Sequence, residues 1–190
     1  MGRTATFATA DAARAARDAF WRRGYADTSI ADLEAATGLS RSSLYHAFTS
    51  KDGLFAAAIT SYLDEVIRPR LAPLLADQVD AATLNAYLTG LRAALADPRS
   101  PARQGCLLIS AATAPAAEDE RVRQAILGYR AELRRAVGRG VRAARPDLTQ
   151  TEADRLADTV TGLVVAALAL ARVDAAAAAE TLENALIAAG

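Results

Sequence analysis

The stretch Thr28-Ser29-Ile30-Ala31-Asp32-Leu33-Glu34-Ala35-Ala36-Thr37-Gly38-Leu39-Ser40-Arg41-Ser42-Ser43-Leu44-Tyr45-His46-Ala47-Phe48 decides how the rest of the chain is read. Ser29 followed by Asp32 has the form of a capping box, with Asp as the shorter substitute for Glu, and opens a helix that runs to Thr37. Gly38 ends that helix, and Ser40 can cap a second one that carries Leu44 and Phe48 inward at i, i+4. Two short helices joined by so tight a turn match a helix-turn-helix, whose second helix is presented to the major groove of DNA. The exposed face of this second helix reads Arg41, Ser42, Ser43, Tyr45 and His46, all able to hydrogen-bond. No acidic residue stands between Glu34 and Asp52, while Arg41, His46 and Lys51 all fall inside that interval.

Upstream of this pair, a helix is expected from about Thr9 to Gly24, with Ala12, Ala16, Ala19 and Phe20 on one face and Arg22 and Arg23 at its negative end. Downstream, Ser50 can cap a helix carrying Leu54, Ala58 and Tyr62. Helix-favouring Ala, Leu, Arg and Glu dominate the remainder, and strand-forming residues do not alternate over any long run, so the chain is expected to be all-α. Breaks at Pro69 to Pro73, Asp97 to Gln104, Pro115, Pro146 and Asp174 define about nine helices. The expected organisation is a three-helix head at residues 1–50 on a helical body at residues 51–190.

Of the 190 residues 52% are hydrophobic, but 49 alanines supply about half of that fraction. No run approaches the roughly 20 large apolar residues of a membrane span, and the N-terminus lacks a basic region followed by an apolar core. A cytoplasmic protein with no membrane partner is expected. The charge is zero, 22 Lys and Arg against 22 Asp and Glu, which excludes a uniformly basic DNA coat but not a local basic patch. The zero is a cancellation: residues 1–51 carry +2, residues 52–117 carry −1, residues 118–145 carry +4 and residues 146–190 carry −5. The segment 118–145 is strongly amphipathic, with Val122, Ile126, Tyr129, Leu133, Val137 and Val141 on its apolar stripe. Its Arg-rich face reads as solvated surface before it reads as a membrane or second nucleic-acid element, and the opposed sectors can attract one another within a subunit or across a dimer.

One His and one Cys leave most catalytic constellations, an internal disulfide and a metal cluster without members. Neither a paired Glu-x-x-His, a nucleophile elbow nor a phosphate-cradling glycine loop occurs. An enzyme, a metal and a cofactor are therefore not expected. A helical interaction module would not need the acid-free segment from Arg41 to Lys51.

Thr28-Ser29-Ile30, Ala36 through Phe48, Ser50-Lys51-Asp52 and Leu54-Phe55 together resemble the DNA-binding domain of the TetR family of bacterial transcriptional regulators. The resemblance covers roughly residues 8 to 68. It implies an all-α homodimer with a DNA-binding head and a ligand-binding body, paired through the last two helices, here about Thr151 to Arg172 and Ala175 to Ala188. It also implies that Thr28, Tyr45 and Lys51 touch backbone phosphates, while Arg41, Ser43 and His46 are available to bases or phosphates of a double-stranded operator. Arg41 has the chemistry for a bidentate contact to guanine O6 and N7. Leu33, Leu39, Leu44 and Phe48 look like the core of the module.

Three positions depart from the family pattern. Ala47 stands where His is common, as in a branch reading Leu-Tyr-x-Ala-Phe; Glu34 stands where Ala is usual, and Ser42 where Gly is usual. In the body, Tyr87 and Tyr129 are candidates to line a small-molecule effector pocket. Cys106, near a helix N-terminus, is read either as a buried small hydrophobe or, as in some relatives, as a redox or electrophile sensor. The expected function is that of a ligand-responsive repressor, the alternatives being a regulator switched at Cys106 and a helical binding protein with no operator.

Overall fold

The computed structural model describes the backbone of residues 2–190 and the side chains of residues 9–190. Its order is α1 (Gly2–Arg23), α2 (Ile30–Thr37), α3 (Arg41–Phe48), α4 (Lys51–Tyr62), α5 (Arg68–Leu75), α6 (Thr83–Ala96), α7 (Leu107–Ala112), α8 (Glu120–Ala144), α9 (Gln150–Leu170) and α10 (Ala175–Ala189). Short 3-10 turns at Pro101–Gln104 and Pro115–Glu118 flank α7, and no strand occurs among the described residues.

The break expected at Pro69 to Pro73 does not interrupt the chain. A π turn at Leu63–Ile67 joins α4 to α5, so both form one rod from residue 51 to residue 75, and the ten helices make nine rods among the described residues. Pro69 has no N–H and its ring crowds the preceding turn; the wider winding upstream, where Arg68 N–H reaches back to Leu63 O, absorbs that conflict. Helix α1 also extends further than expected. It begins by Gly2, which places Thr9 inside the helix rather than at its cap.

The head is built on α1. Helix α4 packs along it, α2 crosses it, and α3 rests on α2 and α4. Leu33, Leu44, Phe48, Phe20 and Phe55 fill the space between, with the Phe20 and Phe55 rings edge to face at 4.8 Å. Leu39 is only half-buried at the margin of this core. The apolar cluster continues through α4 into the body, where α5, α6, α7 and α9 close around α8, and α10 packs on α9 and α6. Along α8 the stripe read from the sequence is buried at Val122, Tyr129, Leu133, Val137 and Val141, with Ile126 half-buried.

The opposed charge sectors meet within the chain. Arg134 of α8 pairs with Asp158 and Asp154 of α9, and Arg142 lies 3.9 Å from Asp154. Helix α9 begins with a full capping box in which Thr149 accepts from Glu152 N–H and the Glu152 carboxylate accepts from Thr149 N–H. No helix of the described residues is long and apolar enough to cross a membrane.

Candidate functional site

The turn between α2 and α3 is assembled from short-range hydrogen bonds. Ser29 and Asp32 form the expected capping box, and the left-handed Gly38 returns its N–H to Glu34 O at 2.9 Å. Ser40 Oγ accepts from Ser43 N–H and lies 3.0 Å from both the Ser42 and Ser43 hydroxyls. Glu34, one of the departures from the family pattern, reaches across to accept the Arg41 N–H at 2.6 Å. A carboxylate at that helix start complements its partial positive charge, so α3 is capped twice, once from its own turn and once from α2.

The corner between α3 and α4 is tighter. Thr49 has φ +71°, and Ser50 N–H bonds Phe48 O at 2.8 Å, a γ-turn centred on a β-branched residue. Ser50 then caps α4 through Gly53 N–H at 3.0 Å. Gly53 is required by proximity: a Cβ there would lie 2.0 Å from Phe48 O. The last carbonyl of α3 thus rests on the first turn of α4, which fixes the direction of α3.

With both ends held, α3 turns Leu44 and Phe48 inward and exposes Arg41, Ser42, Ser43, Tyr45, His46 and Ala47. The Arg41 guanidinium lies 5.6 Å from the Tyr45 ring centre, so two of the expected contact residues are stacked one turn apart. Lys51, the first residue of α4, is half-buried with its ammonium 4.4 Å from the Tyr25 ring centre. Burial lowers its pKa from the ordinary lysine value, against the charges of Asp52 and Asp27.

Thr28 requires a correction. It is wholly buried, and its hydroxyl donates to Gly24 O at 2.6 Å, so it clamps the turn between α1 and α2 instead of offering a phosphate contact. Of the other residues expected to face DNA, Arg41, Ser42, Ser43, Tyr45 and His46 are exposed on α3, and Lys51 begins α4.

Beyond the packing of α1 and α3 on α4, polar contacts tie the head to the body. Arg14 and Arg17 of α1 both bond Glu65 in the π turn, which holds the Glu65 carboxyl down at about 2. Trp21 donates its indole N–H to Gly105 O at 2.9 Å, and Arg172 donates to Trp21 O at 2.7 Å. Gly105 has φ +73° and would place a Cβ 2.5 Å from Leu168 O, so this junction of α1, the 101–106 segment and α9 admits no side chain.

Behind that junction lies a small inner pocket of about 20 Å³ bounded by Tyr62, Tyr87, Tyr129, Gly105 and Arg70. Outside it, an open groove of about 640 Å³ runs between α5 and α6, walled by Pro69, Pro73, Ala86, Tyr87 and Leu91. Tyr87 and Tyr129, the expected pocket residues, come together at the inner pocket, and Tyr87 also borders the groove. Tyr62, read from the sequence on the inward face of α4, borders the inner pocket as well, and so does Arg70, which the sequence does not mark. Cys106 beside them is 1% exposed, and burial pushes its thiol pKa up against the opposing influence of the nearby backbone N–H groups and the Tyr62 and Tyr129 hydroxyls. A reactive cysteine is an accessible thiolate, so the sensor expectation is corrected in favour of the buried hydrophobe. Among the described residues no group of three or more His, Cys, Asp or Glu side chains is placed to hold a metal.

Residues 13–58 match the family described as bacterial regulatory proteins, tetR family. Over 95 residues the chain is 35% identical to the HTH-type transcriptional repressor ComR of Escherichia coli (strain K12), covering 50% of this chain and 44% of that one. The matches to curated relatives span less than half of those proteins' length. Similarity to solved structures runs through the whole fold. A cysteine variant of the TetR family transcriptional regulator CifR, complexed with 26-base-pair operator DNA, superposes with a TM-score of 0.77 at 30% identity, covering 94% of this chain and 95% of that one. A TetR transcriptional regulator from Chloroflexus aurantiacus gives a TM-score of 0.75 at 29% identity, covering 97% and 93%. The chain belongs to the TetR family of bacterial regulatory proteins. Members of that class are DNA-binding transcription factors, not enzymes.

Proposed function

We propose that the chain is a homodimeric repressor that binds a palindromic operator through α3 and is released by a small molecule held in the body. The observation that carries this reading is the exposed face of Arg41, Ser42, Ser43, Tyr45 and His46, on a helix fixed at both ends. Glu34, the carboxylate that reaches this helix, is engaged by the Arg41 N–H. Arg41 is assigned to a base edge, Ser43 and His46 to bases or phosphates, and Tyr45 and Lys51 to the backbone that sets register. Lys51 reaches a phosphate by leaving the Tyr25 ring. Residues 1–50 act as the head and residues 51–190 as the body, with α4 packed against both.

Pairing is assigned to the last two helices. The apolar face of α9 is largely spent inside the chain, with Val160, Val164 and Ala167 buried. Its outward side carries the small residues Gly162, Ala166 and Ala169, and Leu170 at its end, Val173 in the following turn and Ile187 in the last turn of α10 are exposed by 38%, 86% and 70%. Apolar surface of that kind on the last two helices fits a partner copy. A dimer reading one face of the duplex places its half-sites about 34–36 Å apart, and an effector that favours another spacing of the two heads lowers affinity by its differential binding to the two states.

CifR, complexed with operator DNA, and ComR, a repressor, support the operator reading by similarity. Selection of bound fragments from the source genome tests it. A short palindrome should be enriched, and failure to enrich any sequence would overturn it.

A further inference from the structure

Arg70 lies on α5 between Pro69 and Pro73 and borders both the outer groove and the inner pocket. Its guanidinium has neither a carboxylate nor a hydrogen-bond acceptor as partner among the described residues, whereas Arg68, two positions earlier, is paired with Asp64 and lies 3.8 Å from Glu132. Across the groove, on α6, Tyr87 also borders both spaces, and its hydroxyl has no hydrogen-bond partner among the described residues. The neighbouring phenols of Tyr62 and Tyr129 border the inner pocket but not the outer groove. An unpaired guanidinium and a free phenol that border the same two spaces supply a donor set for one carboxylate, two N–H groups in a fixed fork and one O–H.

The other walls limit what carries that carboxylate. Pro69, Pro73, Ala86 and Leu91 are apolar, and about 640 Å³ suits a small organic molecule. Asp80, the carboxylate lining this groove, accepts from Thr83 Oγ1 at 2.7 Å and from Ala82 N–H at 3.0 Å, so it is used in starting α6. A second negative charge on a ligand would face Asp80 and find no guanidinium of its own.

We propose that the effector is a small organic monocarboxylate with an apolar body, its carboxylate on Arg70 and Tyr87 and its body against the proline wall of α5. This rests on the small-molecule reading above and adds the chemical class. Arg70 also borders the cleft beneath α1 that holds Trp21, Glu65 and Gln104. An acid that draws the guanidinium into the groove therefore removes a cation from the place where head and body join.

Calorimetric titration of the full-length chain with matched probes tests the assignment: 4-phenylbutanoate, 2-naphthoate and octanoate, each beside its amide and its amine. At least one acid should bind roughly 10- to 100-fold tighter than its own amide, the range expected of a charge-assisted hydrogen-bonded pair. Arg70→Gln, a change at an exposed side chain, should bring that acid close to the affinity of the amide and weaken the amide itself by a much smaller factor. Tyr87→Phe should weaken the acid by a smaller factor, and Arg70→Lys should retain part of the preference. Amides or amines that bind as tightly as the acids, or an acid that binds Arg70→Gln as it binds the parent, would overturn the assignment while leaving a small-molecule effector standing. If no probe of any charge binds at about 1 mM, a ceiling that corresponds to roughly 4 kcal/mol, both the assignment and the small-molecule reading fall.

Discussion

Replacing Gly53 by Ala tests the corner that aims α3. Helix propensity alone favours the change, because Ala is better than Gly by about 1 kcal/mol in a helix. The geometry opposes it. The added Cβ would lie 2.0 Å from Phe48 O, so the two must separate by about 1 Å or more to reach the 3.0 Å below which such contacts are essentially never seen. The obstacle is backbone, and Phe48 O is also held by Ser50 N–H across the strained Thr49 turn, so no side chain can swing away. Because the obstacle is backbone, the upper part of the overpacking range applies, about 2–3 kcal/mol, and subtracting the propensity gain of about 1 kcal/mol leaves a net loss of about 1–2 kcal/mol. Urea unfolding followed by circular dichroism measures the loss. Operator binding by fluorescence anisotropy should fall by more than the unfolded fraction explains, because the C-terminal end of α3 is displaced. A Gly53→Ala protein as stable as the parent or more so, with unchanged operator affinity, would refute the reasoning about this corner.

Three further outcomes follow from the ties between head and body. Trp21→Phe keeps a ring against Tyr62 but removes the N–H that Gly105 O accepts; stability should drop by about 1–3 kcal/mol, and effector-driven release should weaken more than operator binding itself. Glu65 is held at about 2, below its ordinary 4.5, by Arg14 and then Arg17, so the unfolded chain binds the extra proton between those values. Its contribution is therefore complete above about pH 4.5 and is lost as pH falls toward 2, and Glu65→Gln should flatten that limb of an acid-unfolding curve. Cys106 should resist alkylation by iodoacetamide in the folded chain and react only on unfolding; rapid modification at neutral pH with loss of operator binding would restore the sensor reading.

What was legible in the sequence was local. The caps at Ser29, Ser40 and Ser50, the stop at Gly38 and the inward pair Leu44 and Phe48 depend on residues within four positions of one another, and the structure has each of them. The stripe of α8 was legible for the same reason. Where local signals misled, a longer-range term outweighed them. Pro69 reads as a helix stop, yet packing keeps the rod continuous and the π turn takes up the misfit. Thr9 reads as a cap, yet the helix runs through it.

The site was legible on the surface of α3 and obscure elsewhere. An exposed polar face follows from helical period alone, whereas the burial of Thr28 depends on how α2 meets α1. The Trp21 contact joins residues 84 apart in sequence, a separation that no spacing rule reaches. Arg70 reads as one more charged residue on a helical surface, and only the meeting of α5 and α6 sets it beside Tyr87 between two cavities. Glu34 was noted as a departure from the family pattern, and its use as a second cap of α3 required the distance to Arg41.

The central claim is that α3 reads an operator, and the affinity of single-site variants on a genomically selected operator tests it most directly. Arg41→Ala should lose about 1–3 kcal/mol on that operator and relax preference at one base position, while Lys51→Ala should weaken all duplexes and reduce the slope of affinity against salt by about one. If both variants bound the selected operator with the affinity, sequence preference and salt slope of the parent, the assignment of α3 and Lys51 to DNA would be wrong.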